Sequence, residues 1–334
     1  MQINSKTLNV GIIGKGNFSD ELLRSFLDKK MFGLCCGLQS HKYENLLPLR
    51  NYDELDKAVD AVLILDPDFC VFENLVEVVK SCKHAFITNT SHMTRHQLKK
   101  LLSYTAEAGV HIQVSNGLRF QNILGEIKDH EVKPRIVECN HYLRRPDNKS
   151  KIQLIQDILL PDIDIVLSLT KSRVKHVSAT GVGVLFEDPD VVNARVEFYN
   201  GCVATISASK IADKEVHKIR FFENNNYYTL NFQNQSLRVL KGSEWSEEME
   251  DQNVEDQMDD QTNFHKSVNQ EEILEKEIES FYYCIVLGTE PVLSLSEYVE
   301  ARDVAERILD QLERNFGRKW FRTPFLQNTS HYQL

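Results

Sequence analysis

Gly14-Lys15-Gly16-Asn17-Phe18-Ser19 is the first stretch of this 334-residue chain whose residue types and spacing suit chemistry. It reads G-x-G-x-x-S, one residue short of the dinucleotide fingerprint G-x-G-x-x-G/A. The first glycine permits a tight turn, the second lets a pyrophosphate approach the backbone, and Ser19 is small enough for helix–strand packing. Asp20 and Glu21 follow at once; they suit a helix N-terminus but repel an anion placed there. A second stretch, Lys83 to Met93, reads KHAFITNTSHM. Its strand-like HAFI ends in Thr88-Asn89-Thr90, which can hydrogen-bond a ligand but cannot trade a proton with it. His92 and His96 are four apart, a metal-pair spacing, yet Thr94 caps a helix between them and the metalloprotease glutamate is absent. A solvated helix start is the expectation there, with no metal.

These groups need elements to hold them. Leu8–Gly14 reads as a strand and Asn17–Lys30 as a helix with Phe18, Leu22, Leu23, Phe26 and Leu27 in one stripe. Further strands are expected at Phe32–Leu38, Ala61–Leu65, His84–Ile87 and Val110–Val114. Helices are expected at Cys70–Lys80 and Arg95–Ala108, the latter with a Thr94/Gln97 capping box. Alternating strands and helices predict a doubly wound parallel sheet, whose ligands lie beyond the strand C-termini. Thr88–Thr90 then faces that crevice. An acid about 20 residues past the glycines normally holds the ribose of NAD. Here the second strand ends in Leu38-Gln39-Ser40-His41-Lys42. Ser40, His41 and Lys42 either meet a 2′-phosphate, favouring NADP, or form a solvated loop.

From Arg135 the period changes to that of strands: Arg135–Leu143, Val174–Val184, Val191–Tyr199, Cys202–Lys210, Glu215–Phe222, Tyr227–Phe232 and Leu237–Lys241. Asn200-Gly201 is a hairpin signal. Consecutive strands predict a large, mostly antiparallel open sheet. One helix interrupts, from Asp157 or Pro161 to about Thr170. Ser243–Gln261 holds nine acids and no base, so a mobile solvated loop is expected there. Helices over Glu271–Leu287 and Leu295–Asn315 close the chain, the second with a Ser294/Glu297 capping box. The fold class is thus α/β followed by α+β, with a dinucleotide-binding domain at 1–118 and a substrate and dimerisation domain at 119–334. Asn116, Arg119 and His141 are candidate substrate contacts, although strand alternation and domain-exit geometry explain them as well.

Composition sets limits. With 42% hydrophobic and 26% charged residues the chain is an ordinary globular protein, and no run approaches a membrane span. The start carries no apolar signal region, so a cytoplasmic location is expected. Seven scattered cysteines without a C-x-x-C read as small buried hydrophobes. A net charge of −10 argues against nucleic acid as a partner.

Taken in order, VGIIGKGNFS, DAVLILDPD, KHAFITNT, ARVEFYNGCVATISAS and FYYCIVLGTEPVLSLSEYVEARDVAERILDQL resemble segments of the Gfo/Idh/MocA family over nearly the whole chain. The resemblance implies a Rossmann domain, a second domain whose open sheet face pairs two copies, and NAD(P)-linked chemistry on sugars, cyclitols or nucleotide sugars. It assigns Gly14, Gly16, Asn17, Phe18, Ser19, Ser40, Asp66 and Pro67 to NAD or NADP. It also implies two departures: Asn89 stands where the family has its catalytic lysine. In the family motif D-x-x-x-H-x-x-D, Asp157 and Asp164 remain while Pro161 replaces the histidine.

Oxidising an alcohol requires a group that takes the hydroxyl proton, and such assistance is worth ~10²–10⁴-fold. Neither Asn nor Pro supplies it; Asp157 would if burial raised its pKa. Three readings stay open: a divergent oxidoreductase using Asn89, Asp157 and Asp164, a catalytically silent ligand-binding or complex subunit, and a redox-assisted lyase or glycosidase on the same fold.

Overall fold

The computed structural model describes residues 7–13, 31–38, 47–49, 54, 57–88, 93–128, 132–144, 154–185, 189–223, 225–242 and 270–316. The helix expected at Asn17–Lys30 and the acidic segment 243–261 lie outside them. The chain divides into two compact units. Phe120 opens the second, and residues 269–300 group with the first although the sequence reading placed everything after 118 in one domain.

In the first unit, β1 (Leu8–Ile13), β2 (Phe32–Leu38), β3 (Leu47–Leu49), β4 (Ala61–Ile64), β5 (His84–Ile87) and β6 (Ile112–Val114) form one parallel sheet ordered β3-β2-β1-β4-β5-β6. The chain leaves β1 toward β2 on one side and returns to β4 on the other. This reversal opens a crevice at the C-terminal ends of β1 and β4. Helix α1 (Phe72–Lys80) buries Leu75, Val76, Val78 and Val79; α2 (Arg95–Ala108) buries Leu98, Leu101 and Thr105. Both features of α2's ends arise locally. Thr94 and Gln97 form the expected capping box, and Gly109 closes the other end at φ 64°, where a side chain would be strained.

Helix α5 (Gln270–Leu287) supplies a further layer from far along the chain. Its Ile278, Phe281 and Tyr282 are buried in one cluster with Leu8, Val10, Ile12, Phe32, Leu63 and Phe86. Phe86 meets Phe281 at 6.0 Å, and Phe32 meets Tyr282 edge-on at 6.0 Å. Parallel strands buried on both faces read as continuous apolar runs, as AVLI in β4 does.

The second unit holds a seven-stranded sheet ordered β13-β12-β11-β7-β10-β9-β8. Its strands are β7 (Ile136–Arg144), β8 (Val174–Val182), β9 (Val191–Phe198), β10 (Val203–Ser209), β11 (Ile211–Glu223), β12 (Asn226–Asn231) and β13 (Ser236–Lys241). Only β7 and β10 pair in parallel, so the sheet is mixed and mostly antiparallel. Gly201 at φ 85° turns β9 into β10, and the Asn200 side chain accepts from the Cys202 N–H across that turn.

One face of this sheet is covered. Short α3 (Asn122–Lys128) lies near β13, and α4 (Leu160–Thr170) packs on β7 and β10 with Ile163, Ile165, Val166 and Leu169 buried. The later part of α6 (Leu295–Phe316) contributes Val304, Ile308 and Leu312 to the core. A Cβ at Gly181 would stand 3.0 Å from Leu312, so β8 and α6 meet there without room for a side chain. A π-helical turn, Leu154–Leu159, leads into α4, with Pro161 in the first turn as expected.

Candidate functional site

Two places in the fold gather chemistry-bearing side chains, one in each unit. The first is the C-terminal edge of the parallel sheet. Gly14, Gly16, Asn17, Phe18, Ser19, Ser40 and Asn89 lie outside the described residues. Asp66 follows β4 and its Oδ1 accepts from the Asp68 N–H at 3.0 Å, closing a turn that Pro67 opens into a 3₁₀ segment. Thr88 follows β5; its hydroxyl donates to the Leu65 carbonyl at 3.3 Å, tying the ends of β4 and β5 together. Asn116 is buried, and its side-chain oxygen accepts from the Leu118 N–H. Arg119 Nη1 donates to the Val292 carbonyl at 3.0 Å and to Glu297 at 3.5 Å, both within its own unit.

Beside these lies a residue the sequence did not single out. Glu277 of α5 is 2% exposed, and the Ser115 hydroxyl lies 3.0 and 2.9 Å from its two carboxylate oxygens. Burial pushes this carboxyl up to about 7, against the opposing pull of Ser115 and the Asn116 N–H. The group is therefore poised to change charge near neutral pH, behind the end of β6.

The second place is the start of α4. Asp157 sits on the π-helical turn and is exposed, because Leu154, Ile155, Ile158 and Leu159 take the inward positions of that turn. Asp157 therefore lacks the burial on which its expected role as a base depended. Asp164 is buried. Asp162, one residue past Pro161, is fully buried and accepts from two imidazoles: His141 Nδ1 at 2.8 Å and His217 Nε2 at 2.7 Å. Cys139 hydrogen-bonds the same carboxylate; burial and then the Asp162 charge push its thiol well above its ordinary value.

Local structure explains this assembly. Cys139 and His141 alternate onto the helix-facing side of β7, and His217 of β11 is the direct cross-strand partner of His141. The two rings stack with centroids 3.8 Å apart and planes 12° from parallel, and Phe232 stacks on the far face of His217 at 4.4 Å. Burial alone would push the Asp162 carboxyl up. The two imidazoles outweigh it and hold the group at about 2. An ionised carboxylate has no proton to give, so both imidazoles donate, which leaves His141 Nε2 as the acceptor when the ring is neutral.

Two histidines and a carboxylate within 4.8 Å of one another also raise the question of a metal. A metal must lie in the plane of each imidazole, about 2.0–2.1 Å from its nitrogen. Two near-parallel rings 3.8 Å apart share no such point. The donor set fits a hydrogen-bonded carboxylate and does not fit a metal centre. His141 was legible as a site residue; Asp162 and His217 were not. The available signal was a histidine at an inward position of the alternating strand H-K-I-R-F, where an apolar side chain is the rule.

This architecture, a Rossmann-type sheet followed by an open, mostly antiparallel sheet, defines the class of fold, and its structural neighbours are dehydrogenases of the Gfo/Idh/MocA type. No family model matches the chain. A curated relative, UDP-N-acetylglucosamine 3-dehydrogenase of Acidithiobacillus ferrooxidans, is 23% identical over 188 residues, 56% of this chain and 60% of that enzyme. The solved structure of that dehydrogenase, GnnA, superposes with a TM-score of 0.76 at 18% identity, covering 93% of this chain and 100% of the other. The WlbA dehydrogenase of Bordetella pertussis, solved with NADH and UDP-GlcNAcA, gives 0.71 at 13% identity over 93% of this chain and 97% of its own. A levoglucosan dehydrogenase solved with NADH and levoglucosan gives 0.71 at 14% identity, over 92% of this chain and 98% of its own. The shared property at these identities is the fold.

Proposed function

We propose that this chain is an NAD(P)-dependent oxidoreductase acting on a hydroxyl of a sugar or nucleotide sugar. The carrying observation is the parallel sheet that reverses direction between β1 and β4, with a glycine-bearing crossover directly after β1. The sequence likeness to a UDP-N-acetylglucosamine 3-dehydrogenase supports the sugar-nucleotide side of this reading. The sheet fits a dinucleotide: Ile13 and Ile64 end neighbouring parallel strands, and Asp66 lies just beyond. Gly14, Gly16, Asn17, Phe18 and Ser19 would hold the pyrophosphate, and Ser40, Asp66 and Pro67 would flank the rest. The bound nicotinamide would accept hydride from the carbinol carbon. Asn89, Asn116 and Arg119 remain candidates for orienting the sugar.

A fluorescence titration with NADH and NADPH, with and without UDP-N-acetylglucosamine, tests this reading. Enhanced emission and a raised melting temperature at micromolar cofactor are expected. Unchanged emission and melting at millimolar cofactor would sink it. A second reading, a ligand-binding relative without turnover, is favoured by Pro161 in place of the family histidine and by the exposure of Asp157.

The chain is also proposed to act as a homodimer through the uncovered face of its second sheet. Leu240, Tyr227, Phe222, Ile136 and Val203 are successive cross-strand partners and form one apolar row across five strands. Among the described residues no helix is long and apolar enough to cross a membrane.

A further inference from the structure

Glu277 of α5 is a buried carboxyl that the proposed function leaves unused, and the groups that bond it are neutral. We infer that Glu277 is a pH-operated latch: protonated, it holds the end of β6 and the turn after it against α5, and ionised, it releases them. The latch lies wholly within the first unit and operates whether or not the sheet binds a dinucleotide.

The contacts define what the latch holds. Ser115 follows β6 directly, and its hydroxyl lies 3.0 and 2.9 Å from the two Glu277 carboxyl oxygens. The next N–H, that of Asn116, donates to the same carboxyl. Two residues back on that face of β6, Gln113 Nε2 donates to the Glu277 backbone carbonyl at 2.9 Å. A Cβ at Gly117 would stand 2.9 Å from Ile273 Cγ2, one turn earlier on α5. The strand end and the turn at 115–119 thus meet α5 through Ile273 and Glu277.

Charge decides the sign. An ionised carboxyl is costly to bury unless a cation answers it. No cation bonds Glu277 among the described residues: β6 presents Gln113 and Ser115, and the turn presents the Asn116 N–H. The side chains that β1, β2, β4 and β5 pack on α5 are apolar. Arg119, the charged residue of the turn, donates to the Val292 carbonyl and to Glu297 of α6. Gln113 Oε1 is buried without a donor, one more acceptor on the face of β6 that meets α5.

Burial outweighs the Ser115 and Asn116 bonds and pushes the carboxyl up to about 7. In an opened arrangement that admits water, the group returns toward its ordinary 4.5. The opened form then binds the proton less tightly, so rising pH favours opening, about tenfold per pH unit between these values, and the effect levels off above 7. Ligands of a parallel sheet lie beyond its strand C-termini, the edge on which Ser115 and Asn116 stand. The latch therefore firms that edge in mild acid and loosens it in mild alkali.

Hydrogen exchange on the full chain without ligand, each amide normalised to its intrinsic rate, tests this between pH 5 and 8. The Asn116 amide, and the Leu118 amide that bonds the Asn116 side chain, should open roughly 50–100-fold more often at pH 8 than at pH 5. The Ala85 amide, bonded to the His111 carbonyl at the start of β5, should not share that rise. The Glu277 carboxyl carbon should titrate near 7. In Glu277→Gln the rise should vanish. Ser115→Ala removes a bond that favours the ionised form, so its rise should level off at higher pH; it carries the test if E277Q does not fold. Wild-type opening that is independent of pH or falls with it, a rise that persists in E277Q, or an unshifted plateau in S115A overturns the latch. A Glu277 carbon that titrates near its ordinary value does so too.

Discussion

His141 and His217 lie opposite each other on antiparallel strands with their rings 3.8 Å apart, and both turn their nitrogens toward one buried carboxylate, Asp162. Two polar side chains at inward positions of a sheet are tolerable only because the helix above supplies their acceptor. The pair therefore locks α4 to β7 and β11.

Removing one donor should leave that carboxylate under-satisfied. His217→Phe is expected to destabilise the protein by roughly 1–3 kcal/mol, since a buried charged acceptor loses a partner. Urea unfolding would measure it. In an Asp162→Asn background the same substitution should lose much less, because neighbours sharing one carboxylate are not additive. Equal losses in both backgrounds would show that the His217–Asp162 bond carries none of the effect.

Asp162 also sets an acid limit on stability. Its folded value of about 2 lies below the ordinary 3.8, so between these values the unfolded chain binds the extra proton. Stability then rises with pH through that window and falls as pH drops from about 4 toward 2, by roughly 2 kcal/mol in all. Thermal melts from pH 2 to 6 should show this limb in the wild type and a shallower one in Asp162→Asn. Parallel curves would exclude Asp162 as its source.

Glu277 has the opposite sign. Its folded value of about 7 exceeds the ordinary 4.5, so here the folded chain holds the proton more tightly. The contribution is fully present below about pH 4.5 and is lost as pH rises through 7, on the order of 3 kcal/mol. Glu277→Gln, whose amide still meets the Ser115 hydroxyl, should melt higher than the wild type at pH 8 and no higher at pH 4.5. A variant less stable at both pH values would mean that the charged form is the favoured one.

Much of the fold was legible because it is local. Thr94/Gln97 and Ser294/Glu297 both form the capping boxes their spacing predicts, and the edges of α2 and β5 match the expected residues. Short elements escaped: LPL of β3 and NILGEIK of α3 are too brief to show a period. So did tertiary placement, because α5 joins the first unit through Phe281 and Tyr282, some 150 residues past it in sequence. The candidate site was half legible. His141 stood out by type, but Asp162 hid among Asp157 and Asp164, and His217 is 76 residues from His141 with no spacing that links them. Cross-strand register alone joins the two, and register is a property of the sheet.

The proposed dimer makes a separate prediction. Ile136 is 48% exposed and sits mid-row between Val203 and Phe222. In a two-fold interface one substitution is felt twice, once from each copy. Ile136→Lys places a charge in the apolar row, and desolvating an unpaired ammonium there disfavours association strongly while leaving the other face of the sheet untouched. Light scattering after size exclusion should report a dimer for the wild type at tens of micromolar and a monomer for the variant, with circular dichroism unchanged. A monomeric wild type, or a variant that stays dimeric, would remove this face as the contact surface.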